Sequence, residues 1–307
     1  VSDRFVTMHR FLSGHFPRGC ARPGGITDVR RAAVLLDPWL LNYGHWTTMG
    51  LSRLVVLAAL IKRPPEADAP PFDVLTYGTP FALDALRLLG VPPGAVVAAD
   101  RCRWYRVGAA AFAGPRVWVR RDNPSARAVA SIRSLLLSPA RDQRPLLADA
   151  LRRAGRPLAL ALDRGRDGGR RFATRALANF QAVLRVLRGV VGELGGEASA
   201  YVCGRRTVAD QVASFAAADL AVGVDGGCVA NALWMRPGST VISLVPVRED
   251  YFPMPVSTCG TYPGWRIGDS VGVRPVAVLL PDAGFKDAFV AAPLPVVRAA
   301  LLRWAAG

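Results

Sequence analysis

Three short stretches of this sequence carry side chains that could bind or transform a ligand. The first is "NYGHW" at 42–46, which directly follows two leucines. Asn42 and His45 can form hydrogen bonds to a sugar or a phosphate. The rings of Tyr43 and Trp46 can stack on a flat ligand. The alternative is a structural loop whose aromatic rings pack into the core and whose His45 imidazole bonds to backbone.

The second stretch is an arginine-rich loop, "DRGRDGGRR", at 163–171. It follows a buried apolar run and holds Arg164, Arg166, Arg170 and Arg171. A guanidinium group stays charged and can hold two phosphate oxygens at once, so the loop predicts a phosphate site. The alternative is a solvated loop whose charges face water.

The third stretch is a glycine turn, "VGVDGGCVAN", at 222–231, where a predicted strand runs through Asp225 into a helix. Gly226 and Gly227 allow the backbone to approach a ligand closely. Free N–H groups at such a turn and in the first helical turn suit a phosphate. The alternative is an ordinary tight turn between a strand and a helix.

Several other reaction classes have no support in the sequence. There is no Walker A, GxGxxG or HExxH motif and no Ser-His-Asp order. The five cysteines are widely spaced and form no CxxC pair, so no zinc site is expected. Most of these cysteines are expected to be buried thiols, and a single disulfide is left open as an alternative.

The elements that must position these stretches alternate between strand and helix in the second half of the chain. Strands are predicted at 156–162, 198–203, 220–224 and 240–245, and helices at 172–191, 207–218 and 228–235. Right-handed crossovers between such strands give a parallel sheet with helices on both faces. This half is therefore predicted to be Rossmann-like.

The first half repeats the pattern less clearly. Strands are predicted at 32–36, 73–77, 95–99 and 116–120, and helices at 47–61, 80–90, 125–137 and 143–154. The predicted fold is α/β, with Rossmann-like domains at 1–148 and 149–290 that face each other across a cleft. A final helix within 291–307 is expected to pack back near the domain boundary. Ligands of such sheets lie at the carboxyl ends of the strands, where all three stretches fall.

Composition limits the choice of partners. With 51% hydrophobic and 20% charged residues, the chain has an ordinary globular composition. The net charge of +16 comes almost entirely from arginine, which reflects either a GC-rich genome or anionic partners. Nucleic acid is the less favoured partner, because no zinc knuckle or RNA-binding aromatic signature is present. The apolar run at 54–61 is far shorter than the roughly 20 residues of a membrane helix.

Taken in order, these stretches resemble the family-61 glycosyltransferases over roughly residues 30–265. The most specific part is 207–246, "TVADQVASFAAADLAVGVDGGCVANALWMRPGSTVISLVP". The family pattern there is a Gln-containing helix, a strand, a glycine turn, an Asn, Pro-Gly and a strand ending near Pro. The matching residues are Gln211, Gly226, Asn231, Pro237, Gly238 and Pro246.

The resemblance implies a GT-B architecture and an inverting transfer of a sugar from a nucleotide donor, typically UDP-linked and without a metal. The acceptor would be a glycan or a protein hydroxyl. The implied donor residues are Arg164, Arg170, Arg171, Gly226, Gly227 and Asn231. The acceptor or sugar side would be Asn42, Tyr43 and Trp46, and His45 or Asp225 would be the base.

The sequence departs from the family pattern at two positions. Asp225 replaces a histidine of the glycine turn, and Ser243 replaces an acidic residue expected to bind the ribose. These departures leave two alternatives open. One is an inactive protein that binds a glycan or a nucleotide. The other is a protein that binds another phosphorylated ligand or nucleic acid. The chain begins at Val1 rather than Met. Association with a membrane is therefore expected only through an N-terminal anchor that has been trimmed. A cytoplasmic location and a secretory lumen both stay open.

Overall fold

The computed structural model describes most of the chain after its first 23 residues. The described ranges are 24–36, 38–41, 43, 46–61, 71–100, 103–112, 118–119, 123–124, 126–140, 151, 153–163, 176–247, 271–281, 283 and 289–307. The chain divides into two compact units, Val1–Trp118 and Val119–Gly307. Each has a parallel sheet of its own.

The first unit contains a sheet of four described strands in the order β3-β2-β1-β4, all parallel. The strands are β1 (Gly24–Leu35), β2 (Asp73–Tyr77), β3 (Val96–Ala99) and β4 (Arg103–Phe112). Its helices are α1 (Leu51–Ile61), which continues a π-helix at Trp46–Gly50, and α2 (Pro80–Leu88). The predicted alternation of strand and helix in this half is confirmed for these elements.

Strand β4 is the largest departure from the sequence-based expectation in this unit. Its sequence, "RWYRVGAAAF", has no regular alternation and includes a glycine and three alanines, so it gives a weak strand signal. It nevertheless pairs along most of β1, which is itself longer than the predicted strand at 32–36. The two strands approach closely at Gly108, because a Cβ there would be 2.8 Å from the Arg30 carbonyl oxygen.

The second unit contains a sheet of five described strands in the order β12-β11-β10-β7-β9, again all parallel. These strands are β7 (Leu158–Asp163), β9 (Glu197–Val202), β10 (Leu220–Val224), β11 (Thr240–Pro246) and β12 (Arg274–Leu280). Two short pairs join β5 (Trp118–Val119) to β6 (Asn123–Pro124) and β8 (Ala176–Leu177) to β13 (Phe289–Val290). The central strands β10 and β11 are buried along their whole length, which explains why their sequences are mainly apolar and do not alternate with exposed polar residues.

The second unit has α-helices whose bounds lie within the described residues. They are α3 (Ala126–Ala140), α4 (Phe180–Glu193), α5 (Val208–Ala217) and α6 (Leu294–Ala305). Helix α5 begins with the predicted capping box, in which Thr207 Oγ1 accepts from the Asp210 N–H at 3.0 Å. Helices α4 and α6 pack together over one face of the sheet, around Leu187, Val191 and Leu301.

Two predicted elements are corrected by the structure. Helix α4 begins at Phe180, with Asn179 at its N-cap, whereas a helix was predicted over 172–191. The preceding Ala176–Leu177, which lies inside the predicted helix, is a short strand. Strand β12 was not among the strands predicted from the sequence. The predicted helix at 143–154 lies almost wholly outside the described residues.

The compact units divide the chain earlier than the predicted domain limit at 148/149, because α3 packs on α5 of the second unit. Helix α6 packs within the same unit, against α4 and β12. The functions assigned to the predicted domains remain predictions. No helix among the described residues is long and apolar enough to cross a membrane.

Candidate functional site

The carboxyl ends of the strands of the second unit meet at one edge of its parallel sheet. Strand β7 ends at Asp163, β10 at Val224 and β11 at Pro246. The register pairs Leu162 with Gly223, so the end of β7 lies beside the end of β10. Ligands bind at this edge in open α/β sheets. The glycine turn at 225–227 directly follows β10 at this position.

The glycine turn is held by backbone hydrogen bonds at Asp225 and Gly226. The Asp225 N–H donates to the Leu244 carbonyl at 3.0 Å, and the Gly226 carbonyl accepts from the Val229 N–H at 3.0 Å. Gly226 has a φ of 151°, a conformation that residues with a Cβ rarely adopt. Gly226 and Gly227 are partly exposed. The hydrogen bonds among the described residues include no backbone acceptor for either N–H group, and two amides at such a turn are a donor set that suits an anion.

A buried hydrogen-bond network lies next to this turn. The Asn231 Nδ2 donates to Gln211 Oε1 at 2.8 Å, and the Trp234 Nε1 donates to Asn231 Oδ1 at 3.1 Å. Asn231 is 0% exposed. Two residues of the family pattern, Gln211 and Asn231, are therefore bonded to each other. This geometry gives Asn231 a role in holding the turn, and direct contact with a ligand remains a prediction.

A disulfide joins the segment after the glycine turn to the loop that follows β9. Cys203 follows β9 and Cys228 follows the glycine turn, and their Cα atoms are 5.9 Å apart. Most cysteines were predicted to be thiols, and this pair corresponds to the disulfide that the sequence left open. Gln211 spans the same two loops, because its Nε2 donates to the Arg206 carbonyl at 3.2 Å while its Oε1 accepts from Asn231.

Helix α3 supports the far end of the short 3-10 helix that follows the turn, Val229–Trp234. Arg133 NH1 donates to the carbonyls of Leu233 and Met235, the latter at 2.8 Å. Burial lowers the pKa of the Arg133 guanidinium below its ordinary value. The two carbonyl acceptors hold this partly buried cation, and the same bonds fix the end of the 3-10 helix.

The aromatic residues of "NYGHW" pack within the first unit. Trp46 is 1% exposed, and its ring centroid is 6.2 Å from that of Phe81 in α2. The Tyr43 ring meets Phe81 edge-on at 5.6 Å. A Cβ at Gly50 would be 2.5 Å from the Trp46 ring, so this glycine makes room for the indole. Trp46 therefore offers no open ring face, and its observed role is to anchor the loop.

The predicted site residues divide into three groups. Asp225, Gly226, Gly227 and Asn231 are brought together in the second unit, and Tyr43 and Trp46 in the first. Asn42, His45, Arg164, Arg170 and Arg171 lie outside the described residues. Asp225 is 2% exposed, and Ser243 is buried at 1% in the middle of β11. Ser243 therefore lies away from the carboxyl end of β11. A residue would have to lie at that end to reach a ribose.

Sequence reasoning missed the residues that hold the turn. Arg133, Cys203, Cys228 and Trp234 lie at long and irregular separations, and the sequence does not reveal which of them meet. A usable signal was the Gln211 in a helix that is otherwise rich in alanine and valine. A buried amide in such a helix needs a partner, and Asn231 supplies it.

Comparison with known proteins identifies the family. A family model described as glycosyltransferase 61 matches residues 43–242, which include the glycine turn and its supporting network. The chain belongs to glycosyltransferase family 61. It is accordingly a glycosyltransferase, an enzyme class that uses a nucleotide-sugar donor and a glycan acceptor in general. A search of curated proteins finds no match.

Among solved structures, this glycosyltransferase is similar to a flavodoxin from Streptococcus pneumonia TIGR4. The likeness has 13% sequence identity and a TM-score of 0.29, and it covers 48% of this chain and 95% of the flavodoxin. A likeness this distant carries no argument about function. Among the described residues of the glycosyltransferase, no group of three or more His, Cys, Asp or Glu side chains could hold a metal ion.

Proposed function

We propose that this glycosyltransferase is an inverting enzyme of GT-B architecture that moves a sugar from a UDP-linked donor to a glycan or protein hydroxyl. The observation that carries the proposal is the open glycine turn, whose two N–H groups lie at the carboxyl edge of a parallel sheet. Amides fixed in this way bind a diphosphate without having to be reorganised. The turn lies within the residues that match the family.

The arginine loop supplies the charge in this proposal. Arg164 directly follows Asp163, the last residue of β7, so the loop starts at the sheet edge that carries the turn. A leaving UDP gains negative charge as the sugar bond breaks, and nearby guanidinium groups stabilise that charge. Arg164, Arg170 and Arg171 would do so without a metal ion. This assigns the donor to the second unit and the acceptor to the first.

An inverting transfer also requires a base that removes the proton of the acceptor hydroxyl. Asp225 and His45 are the candidates. The burial of Asp225 at 2% favours His45, because an acceptor hydroxyl must come within hydrogen-bond distance of the base. Asp225 then helps to hold the turn, through its N–H bond to the Leu244 carbonyl.

The deciding experiment is nucleotide binding by the purified protein, with Gly226→Ala as the test variant. We expect UDP to raise the melting temperature of the wild type with EDTA present, since a ligand of the folded state stabilises it. Gly226→Ala should weaken UDP binding about tenfold or more, because alanine is strained at a φ of 151°. Gly204→Ala is the matched control, since a Cβ there meets no atom within 4 Å.

A catalytically inactive nucleotide- or glycan-binding protein is the second candidate. The observation in its favour is Asp225, whose carboxylate follows β10 where a diphosphate would approach. A negative charge there opposes an anionic donor. Hydrolysis or transfer of a UDP-sugar by the wild type would exclude this candidate. Loss of that activity in His45→Gln, with UDP affinity retained, would support the assigned base.

A further inference from the structure

Within the described residues, the glycine turn is held by the backbone hydrogen bonds of Asp225 and Gly226 and by cross-links to other elements. Its glycines have the largest backbone entropy of any residue, and the 3-10 helix after it spans only Val229–Trp234. Cys228, at the N-cap of that helix, makes no side-chain capping hydrogen bond. The position of the turn therefore depends on what ties this segment to α3, to α5 and to the loop after β9.

Two of these ties act in parallel between the same pair of loops. The Cys203–Cys228 disulfide joins them covalently. Gln211 joins them through hydrogen bonds, from its Nε2 to the Arg206 carbonyl and from the Asn231 Nδ2 to its Oε1. Asn231 Nδ2 also lies 3.7 Å from Cys203 Sγ, so the two links are in contact. Both cysteines are buried in the described structure, at 8% exposure.

We propose that the Cys203–Cys228 disulfide is a positioning element of the donor site, which fixes the Asp225–Gly227 turn and makes donor affinity depend on the oxidation state of this pair. The inference rests on the proposed function, because it takes the turn as the place where the diphosphate binds. Cys203 and Cys228 are positioning residues that act through the turn. Gln211 and Asn231 support the same geometry, and they hold it only in part when the disulfide is open.

The redox step is a thiol–disulfide exchange with a dithiol reductant. A thiolate of the reductant attacks one sulfur of the pair, the S–S bond breaks, and the released sulfur takes up a proton. The second thiol of the reductant then displaces the other protein sulfur. The reductant ends as a cyclic disulfide, and Cys203 and Cys228 end as two thiols. The oxidised pair is of the kind that forms in secretory or periplasmic compartments.

The test compares the double variant Cys203→Ala/Cys228→Ala with Arg236→Ala. Arg236 forms an ion pair with Asp219 at the amino-terminal ends of β10 and β11, so its loss destabilises the same sheet far from the turn. We expect the double variant to bind UDP at least tenfold more weakly, and to raise the donor KM while kcat at saturating donor stays within about twofold. Arg236→Ala should keep the wild-type affinity. Equal losses in both variants, or wild-type affinity in the double variant, would overturn the proposal.

Two further measurements keep the result decisive. Dithiothreitol treatment of folded wild type, confirmed by thiol counting, should reproduce the weaker UDP binding, which covers the case in which the double variant does not fold. Amide hydrogen exchange over 222–235 should be faster in the double variant and in reduced protein than in Arg236→Ala. If no nucleotide binds the wild type, the proposed function fails. Hydrogen exchange alone then tests whether the disulfide positions the turn, and unchanged protection over 222–235 would refute it.

Discussion

At the scale of single residues, the family pattern here reflects packing as much as chemistry. Gln211 and Asn231 match the pattern, and the structure bonds them to each other beneath the glycine turn. We expect Asn231→Leu, which has a similar volume, to lower the free energy of unfolding by about 2–4 kcal/mol. The reason is that Gln211 Oε1 and Trp234 Nε1 each lose a buried partner, at about 1–3 kcal/mol per group.

Urea unfolding of the purified variant measures that loss. Ser199→Ala on the exposed part of β9 is the control, and it should stay within about 0.5 kcal/mol of the wild type. An Asn231→Leu protein as stable as the wild type would show that water or a neighbouring group satisfies both atoms. The network would then not explain why these two residues fit the family pattern.

Tyr201 provides a prediction about pH. Burial raises the pKa of its hydroxyl from 10.0 to about 12, and its ring packs edge-on against Phe215 at 5.5 Å. Above pH 10 the unfolded chain loses this proton while the folded protein keeps it. Stability due to Tyr201 is therefore complete below pH 10 and is lost as pH rises towards 12. Between pH 9 and 11 the loss is about 1 kcal/mol.

Tyr201→Phe removes the ionisable hydroxyl and leaves the ring in place. Between pH 9 and 11, the free energy of unfolding of the wild type should fall by about 1 kcal/mol more than that of Tyr201→Phe. Short urea titrations at pH 9 and pH 11 supply the comparison, and alkaline effects on other groups cancel between the two proteins. Identical pH dependence would mean that Tyr201 titrates normally in the folded state.

At the scale of elements, β7 and β10 approach each other closely near the carboxyl ends that carry the candidate site. A Cβ on Gly223 would be 2.6 Å from the Leu162 Cβ, which is held by its own strand and cannot rotate away. Gly223→Ala should therefore cost about 1–3 kcal/mol by forcing the strands apart. The melting temperature should fall by several degrees, and Gly94→Ala, which has open space, should leave it unchanged.

The same elements show which parts of the fold the sequence predicts. Strands β7, β10 and β11 and the start of α5 follow from mainly apolar runs and a capping box, because their burial and their ends are encoded locally. Strand β4 was missed, since its alanines and arginines acquire strand structure only by pairing with β1. The site follows the same rule: the sequence predicts the turn but not the disulfide, whose cysteines are 25 residues apart.

At the scale of the whole molecule, each of the two units has its own parallel sheet and buried core residues. If the donor binds the second unit, its effect on stability should be confined there. We expect calorimetry of the wild type to resolve two unfolding transitions, as separate cores allow. Saturating UDP should raise the midpoint of one transition and leave the other within about 1 °C, because a ligand stabilises the unit that it binds.

Variants assign the two transitions. Gly223→Ala should lower the midpoint of the transition that UDP raises, because Gly223 lies in β10 of the second unit. Gly108→Ala should lower the other, because a Cβ there meets the Arg30 carbonyl oxygen at 2.8 Å in the first unit. A UDP response that follows the Gly108 transition would place the donor on the first unit and reverse the assigned roles. A single transition that both variants shift equally would show that the units unfold together, which contradicts independent cores.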